Sequence, residues 1–294
     1  MGLGLELVGA NATWVFENDR IDINYSSGLG HPRLLRKLKH RSIPYQAISR
    51  ATATGGDGNP QLVLHLRPGA DPLTEVAAGQ LDDDAEPHQL ELEPDQQDLA
   101  NYYADHVNDH CSLNPDAGSP APRFLVEVDQ APRRLKGFDG EATFDGSAVE
   151  FHWHEDASTA KHRSSRRRFP LTEIAGVRWV RPGLASGHLQ LVLHEETADV
   201  SPSDNDHALL FGLGYGSTAT SLPFAAAVLA AAQAAGSATS AGRPALPAAA
   251  PHQPDAMSRS EILATIRELG ELHQAGIVSQ QEFEQKKREL LDRL

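Results

Sequence analysis

At 294 residues, 40% hydrophobic and with a formal net charge of -14, the chain has length for two modest domains and no need of one large core. A single cysteine, Cys111, excludes an internal disulfide and suits a reducing, cytoplasmic setting. The N-terminal "MGLGLELVGANATW" lacks the charged and apolar regions of a secretory leader, and the most apolar run, residues 223–235, falls short of the roughly 20 residues that span a bilayer.

Residues 1–115 come first in chain order. The stretch "GANATWVFENDRIDI" (Gly9 to Ile23) alternates apolar and polar residues around Glu17-Asn18, the period of half-buried antiparallel strands. A basic run, "HPRLLRKLKHR", then carries Arg33, Arg36, Lys37, Lys39 and Arg41 without one acid and is read as a loop before the strand at Ile43. Leu62 to His65 reads as another strand. The segment "DQQDLANYYADHVNDH" (Asp95 to His110) reads as a helix with Leu99, Tyr102, Tyr103 and Val107 on its apolar face.

Residues 116–236 repeat this grammar. Gly9 to Ile23 overlays Gly137 to Phe151 at an offset of 128, Ser42 to Ile48 answers Arg168 to Ile174 at 126, and "LVLH" recurs at Leu191 to His194 at 129. Small changes of offset are what loop-length differences between two copies of one fold produce. The second basic run, "KHRSSRRRFP", supplies Lys161, Arg163, Arg166, Arg167 and Arg168, and a helix is expected over Ser221 to Ala235. The architecture predicted is α+β: several antiparallel strands closed by one helix, twice.

The two runs hold ten of the 26 basic residues, whereas the rest of copy one has only Arg20, Arg50 and Arg67 against seventeen acids. Charge so polarised can attract a phosphate, an anionic membrane surface or an acidic protein. It can equally stay solvated or pair with the molecule's own acids, such as Asp82-Asp83-Asp84. Nucleic acid is not expected as a partner, because neither run interleaves aromatics for base stacking.

His106 and His110, beside Asp105, Asp109 and Cys111, have a metal-ligand spacing, but the second copy has alanines there and nothing nearby completes a zinc set. "GLGYGS" (Gly212 to Ser217) lacks the Lys-Ser/Thr of a phosphate loop, and no nucleophile elbow or metalloprotease helix is present. The sequence predicts no enzyme, no metal and no cofactor.

Residues 237–257, rich in Ala and Pro and without periodicity, read as a flexible linker. Residues 258–294 read as a helical hairpin: Ser258 with Glu261 and Ser279 with Glu282 form capping boxes, and Gly276 separates the helices. Its apolar positions Ile262, Ile266, Leu269, Leu272, Phe283, Leu290 and Leu291 bury too little to stand alone, so homo-oligomerisation through this tail is expected.

Two resemblances follow from quoted residues. Leu272, Ala275-Gly276-Ile277-Val278, Ser279, Glu282-Phe283, Lys286-Lys287 and Leu290-Leu291 resemble the bacterial short C-terminal domain, SHOCT, which implies an assembly or interaction module. Ala142-Thr143-Phe144-Asp145-Gly146, Phe169-Pro170-Leu171, Ile174-Ala175-Gly176-Val177 and the helix from Phe224 resemble the bacterial family called domain of unknown function 4429. That resemblance implies two tandem pleckstrin-homology-like β-rolls, each capped by a C-terminal helix. Lipid-binding members of that fold centre their cations on the first hairpin, here Glu17-Asn18 or Asp145-Gly146, so the basic runs depart from that pattern. The function expected is a cytoplasmic adaptor or scaffold that binds a protein or peptide. The alternative is a peripheral binder of anionic lipid or another polyanion through two basic loops.

Overall fold

The computed structural model describes residues 5–55, 59–128, 133–155, 157–183, 187–195, 200–212 and 214–240. The expectations for the linker after residue 240 and for the helical tail, including Ile262, Ile266, Leu269, Leu272, Phe283, Leu290 and Leu291, lie outside the described residues.

Copy one runs β1 (Leu5–Val8), β2 (Ala12–Phe16), β3 (Arg20–Tyr25), α1 (Arg33–Leu38), β4 (His40–Pro44), β5 (Ile48–Thr54), β6 (Gln61–Leu66), α2 (Pro72–Ala77), β7 (Gln89–Glu91) and α3 (Gln97–Ser112). Copy two runs β8 (Arg134–Lys136), β9 (Gly140–Phe144), β10 (Ala148–Trp153), α4 (Thr159–Ser164), β11 (Arg166–Pro170), β12 (Ile174–Val180), β13 (His188–Leu193), β14 (Ala208–Leu210) and α5 (Thr218–Ser240). Each copy has a four-stranded sheet, β1-β2-β3-β4 or β11-β10-β9-β8, and a three-stranded sheet, β5-β6-β7 or β12-β13-β14. Every pairing is antiparallel, and both copies place a register shift at the start of the second sheet, between Ile48 and Arg50 or Ile174 and Gly176.

The alternation read from the sequence becomes the core face. Trp14, Ile21, Ile23 and Ile43 point inward from the first sheet, and Ala142, Val149, Phe151 and Phe169 occupy the same places in the second copy. The cross-strand pair Trp14 and Ile23 becomes Ala142 and Phe151, a large and a small residue exchanged across the strands so that the filled volume changes little. At Gly9 and Gly137 the backbone approaches the other sheet so closely that a Cβ would collide with Leu90 and the Glu91 carbonyl, or with Leu209. This is why the repeat keeps glycine there.

Two corrections concern the helices. The basic runs are not loops: each contains a short helix, α1 or α4, followed directly by a strand. Leu34, Leu35 and Leu38 form an apolar face beneath the charges of α1, which is enough for one and a half turns when a core receives it. In α3 the buried stripe is Ala100, Tyr103, Ala104, Val107 and Cys111, while Leu99 and Tyr102 are exposed. The small residues face inward because the helix lies close on β5 and β6.

Helix α5 begins earlier and ends later than expected, reaching Ser240, since its Ala, Ser and Thr residues tolerate a helix. By length and apolar composition Thr218–Ser237 could cross a membrane, yet half of that stretch is buried in the fold. The burial pattern explains the composition. Ser221, Phe224, Ala225, Val228 and Ala232 repeat the α3 stripe at an offset of 121 and cover their own sheet. Ala219, Leu222, Pro223 and Ala226 form a second buried stripe, where α3 presents exposed Asp98, Asn101, Tyr102 and Asp105. That second face packs on α1 and α2 of copy one.

Across the described residues the two copies therefore form one compact unit with a continuous core. Polar contacts fix the join. The Gln80 side chain donates from Nε2 to the Trp179 carbonyl at 3.0 Å and accepts from the Arg181 amide at 3.0 Å, and Arg181 pairs with Asp82 at 2.6 Å. Leu34 and Leu38 of α1 have Ala160 and Ser164 as counterparts in α4, so copy two lacks the apolar helix face that receives α5. The stacking stops at two copies, as a capping repeat stops an array.

Candidate functional site

The ten cations singled out by sequence were the candidate binding surface, and the fold assigns them different work. Lys161 is fully buried: its Nζ lies 2.5 Å from Asp139 Oδ2, donates to the Ala208 carbonyl at 2.8 Å, and sits 4.6 Å from the centre of the Trp153 ring. Asp139 Oδ1 accepts the Leu210 amide at 2.9 Å. In copy one a single neutral residue does both jobs. Asn11, the counterpart of Asp139, accepts the Glu91 amide at 3.0 Å and donates to the Gln89 carbonyl at 2.9 Å, and Leu35 stands where copy two has Lys161. Lys161 is thus a core residue; it leaves the set of candidate anion ligands. Burial pushes its ammonium pKa down, against the pull of Asp139.

Arg41 leaves the set for the same reason. It donates to both carboxylate oxygens of Asp71, at 3.2 and 2.6 Å, and both side chains are buried. Asp71 is also the N-cap of α2, accepting from the amides of Leu73 and Thr74 and the Thr74 hydroxyl. Burial alone would raise the Asp71 pKa, but Arg41, His88 and the hydrogen bonds from Arg41 and Thr74 hold it at about 2. Its stabilising contribution is present above the unfolded value near 3.8 and is lost only as pH falls toward 2. This pair anchors the helix on which α5 rests, so the cation serves the junction between copies.

The exposed arginines of the second run face the molecule's own acids. Arg166 pairs with Glu150, Arg167 with Asp206 at 3.1 Å, and Arg168 with Asp145 at 2.7 Å. These acids come from the neighbouring strand and loops, not from Asp82-Asp83-Asp84. Arg36 donates to the His31 carbonyl at 3.1 Å. Arg33, Lys37, Lys39 and Arg163 are exposed and make no ion pair with the described residues. Lys39 and Ser165 close α1 and α4 with φ of 61° and 38°, a strained turn whose carbonyl accepts the amide of Tyr25 or Trp153 in both copies.

His106 and His110 are absorbed by packing. Tyr45 stacks on His110 with ring centres 4.1 Å apart, His110 meets His106 edge-on at 4.9 Å, and His106 meets Phe16 at 6.1 Å. Cys111 is buried, and burial raises its thiol pKa. Among the described residues no group of three or more His, Cys, Asp or Glu side chains is placed to hold a metal.

A second titratable group bears on stability. His188, at the start of β13, has its pKa lowered from 6.5 to about 4 by burial and by Arg178 and Lys161. The unfolded chain then binds more protons below pH 6.5, so this contribution is present above that pH and lost on descending to about 4. Stability should fall by up to about 3 kcal/mol across that window through this group. His188→Phe should flatten the dependence in urea titrations at pH 7 and pH 4.5; an unchanged slope would remove His188 as its source.

What the surface displays besides charge is a pair of sheet edges beside the two capping helices, and the copies treat them differently. In copy one the Asn108 side chain of α3 accepts the Ala51 amide at 2.8 Å and donates to the Ala51 carbonyl at 3.0 Å, closing the outer edge of β5 at that residue. Comparison with known families finds the same duplication in the sequence. The profile of the family described as domain of unknown function, DUF4429, matches residues 14–108 and 142–229, more than half of the chain. The chain belongs to the DUF4429 family. A second profile, SHOCT or short C-terminal domain, matches residues 264–291 within the tail. No curated protein matches the chain. The two DUF4429 segments begin at Trp14 and Ala142, counterparts on β2 and β9, and end at Asn108 and Leu229, counterparts on α3 and α5. The ion pairs and the clamp were beyond sequence reasoning, because Asp139 and Lys161 are 22 positions apart and Ala51 and Asn108 are 57 apart, with no periodicity to connect them.

Proposed function

We propose that the protein is a non-enzymatic cytoplasmic adaptor whose DUF4429 pair forms a rigid head that binds a protein or peptide, and whose SHOCT segment self-associates. In this reading each copy is a pleckstrin-homology-like roll and the tail is a helical hairpin. The observation that carries it is the second apolar stripe of α5, Ala219, Leu222, Pro223 and Ala226, which welds two folds into one body. An adaptor needs such a head joined to a separate assembly module.

A polyanion-binding role draws less support. Of the ten cations of the two runs, Arg41 and Lys161 are buried in ion pairs, Arg166, Arg167 and Arg168 face carboxylates, and Arg36 is held to a backbone carbonyl. Deleting Ser258 to Leu294 should lower the mass measured by light scattering while leaving the far-ultraviolet signal of the head in place. A monomer both before and after the deletion would overturn the assembly half of the reading.

A further inference from the structure

The edge of β12 is where the two copies differ most in what they offer a partner. In copy one Ala51 lies opposite Leu64, whose amide bonds the other way, to His88, so the Ala51 amide and carbonyl point outward and Asn108 closes them. In copy two Val177 lies opposite Leu191, whose amide bonds to His207, so Val177 points outward in the same manner. The residue standing in place of Asn108 is Leu229, whose side chain has no hydrogen-bonding group. Among the described residues neither the Val177 amide nor its carbonyl has a hydrogen-bond partner, and the Trp179 amide has none either. Further along, the same edge is closed again: Gln80 takes the Trp179 carbonyl and the Arg181 amide.

We propose that this gap in β12, between Leu229 and the Gln80 clamp, is a docking edge for an extended peptide segment of alternating apolar and acidic residues. It rests on the adaptor reading and names the site of that adaptor. A partially buried strand leaves its amides and carbonyls unpaired only at a free-energy cost, which an added strand removes. An incoming strand hydrogen-bonds to Val177 and to the Trp179 amide, and its side chains alternate between two faces. One set lies on the side of Leu229, which calls for an apolar residue. The other lies beside Arg178, which is exposed and has no ion pair with the described residues, and this calls for a carboxylate. A basic or purely apolar segment leaves Arg178 unmatched, so charge selects the acidic one.

The copies supply the test, since the clamp can be moved. A phage-displayed library of random peptides panned against the full chain should enrich alternating apolar and acidic sequences. The enriched peptide, synthesised with a fluorophore, should bind the wild-type chain. Leu229→Asn, which installs the clamp of copy one, should weaken it by at least about tenfold, and Val177→Pro, which removes an edge amide, should do the same. Equal affinity for wild type and both edge variants, or no enrichment at all, overturns the proposal. So does a fall in the mass of the tail-deleted chain on Leu229→Asn, because the occupant would then be a second copy. If a native partner is crosslinked equally to wild type and Leu229→Asn, the adaptor reading stands and this edge is not its site.

Discussion

Lys161→Met is expected to destabilise the protein by about 3–5 kcal/mol, because it strands the Asp139 carboxylate in the core with only the Leu210 amide as partner. The cost comes from the orphaned charge, not from a strong native attraction, since two buried ions lose most of their Coulombic gain to desolvation. Copy one shows how the same position can be filled without charge. The double variant Asp139→Asn with Lys161→Leu recreates Asn11 and Leu35: the new amide can accept the Leu210 amide and donate to the Ala208 carbonyl, as Asn11 does toward Glu91 and Gln89. It should recover to within about 1 kcal/mol of wild type. Urea unfolding at pH 7 measures both, and a double variant as unstable as the single one would show that the two copies are not interchangeable here.

The second large effect concerns the weld. Leu222→Asn with Ala226→Asp writes two residues of the α3 outer face, Asn101 and Asp105, onto α5. Both positions are fully buried, so the change sets a carboxylate and an amide without arranged partners against α1 and α2 and should cost several kcal/mol. The α3-like stripe of Phe224, Ala225 and Val228 is untouched, so copy two keeps its own cap. The expected result is a split of one cooperative unfolding transition into two, since α5 makes the main apolar contact between the copies. Tryptophan fluorescence can follow each half, because Trp14 belongs to copy one and Trp153 and Trp179 to copy two, all three buried. A single transition shifted by less than about 1 kcal/mol would mean that α5 is not the coupling element.

Both experiments exploit a duplication that was legible in the primary structure, and their sites mark where legibility ended. The recurrence of Gly9 to Ile23 at Gly137 to Phe151 reveals the repeat, since β-strand alternation is local and survives divergence. The basic runs were harder to read. A row of arginines and lysines looks solvated, and the three leucines of α1 that make it a helix are dispersed among them. In α5 the opposite happened: residues that resembled a weakly patterned alanine helix are two interleaved stripes, and only the presence of α1 and α2 on the second side gives that composition a reason.

By itself the sequence determined that the chain is a tandem of two antiparallel folds capped by helices, with a SHOCT segment behind them, because glycine turns, strand alternation and motif spacing act over a few residues. Only the tertiary structure decided what the charges do. Lys161 and Arg41 enter the core because Asp139 and Asp71 arrive there from other elements, and no local rule says which carboxylate a distant cation will meet. It also decided which edge stays open. One amide on α3 closes β5 at Ala51 and one leucine on α5 leaves β12 unclosed at Val177, a difference that matters only once helix and strand lie side by side.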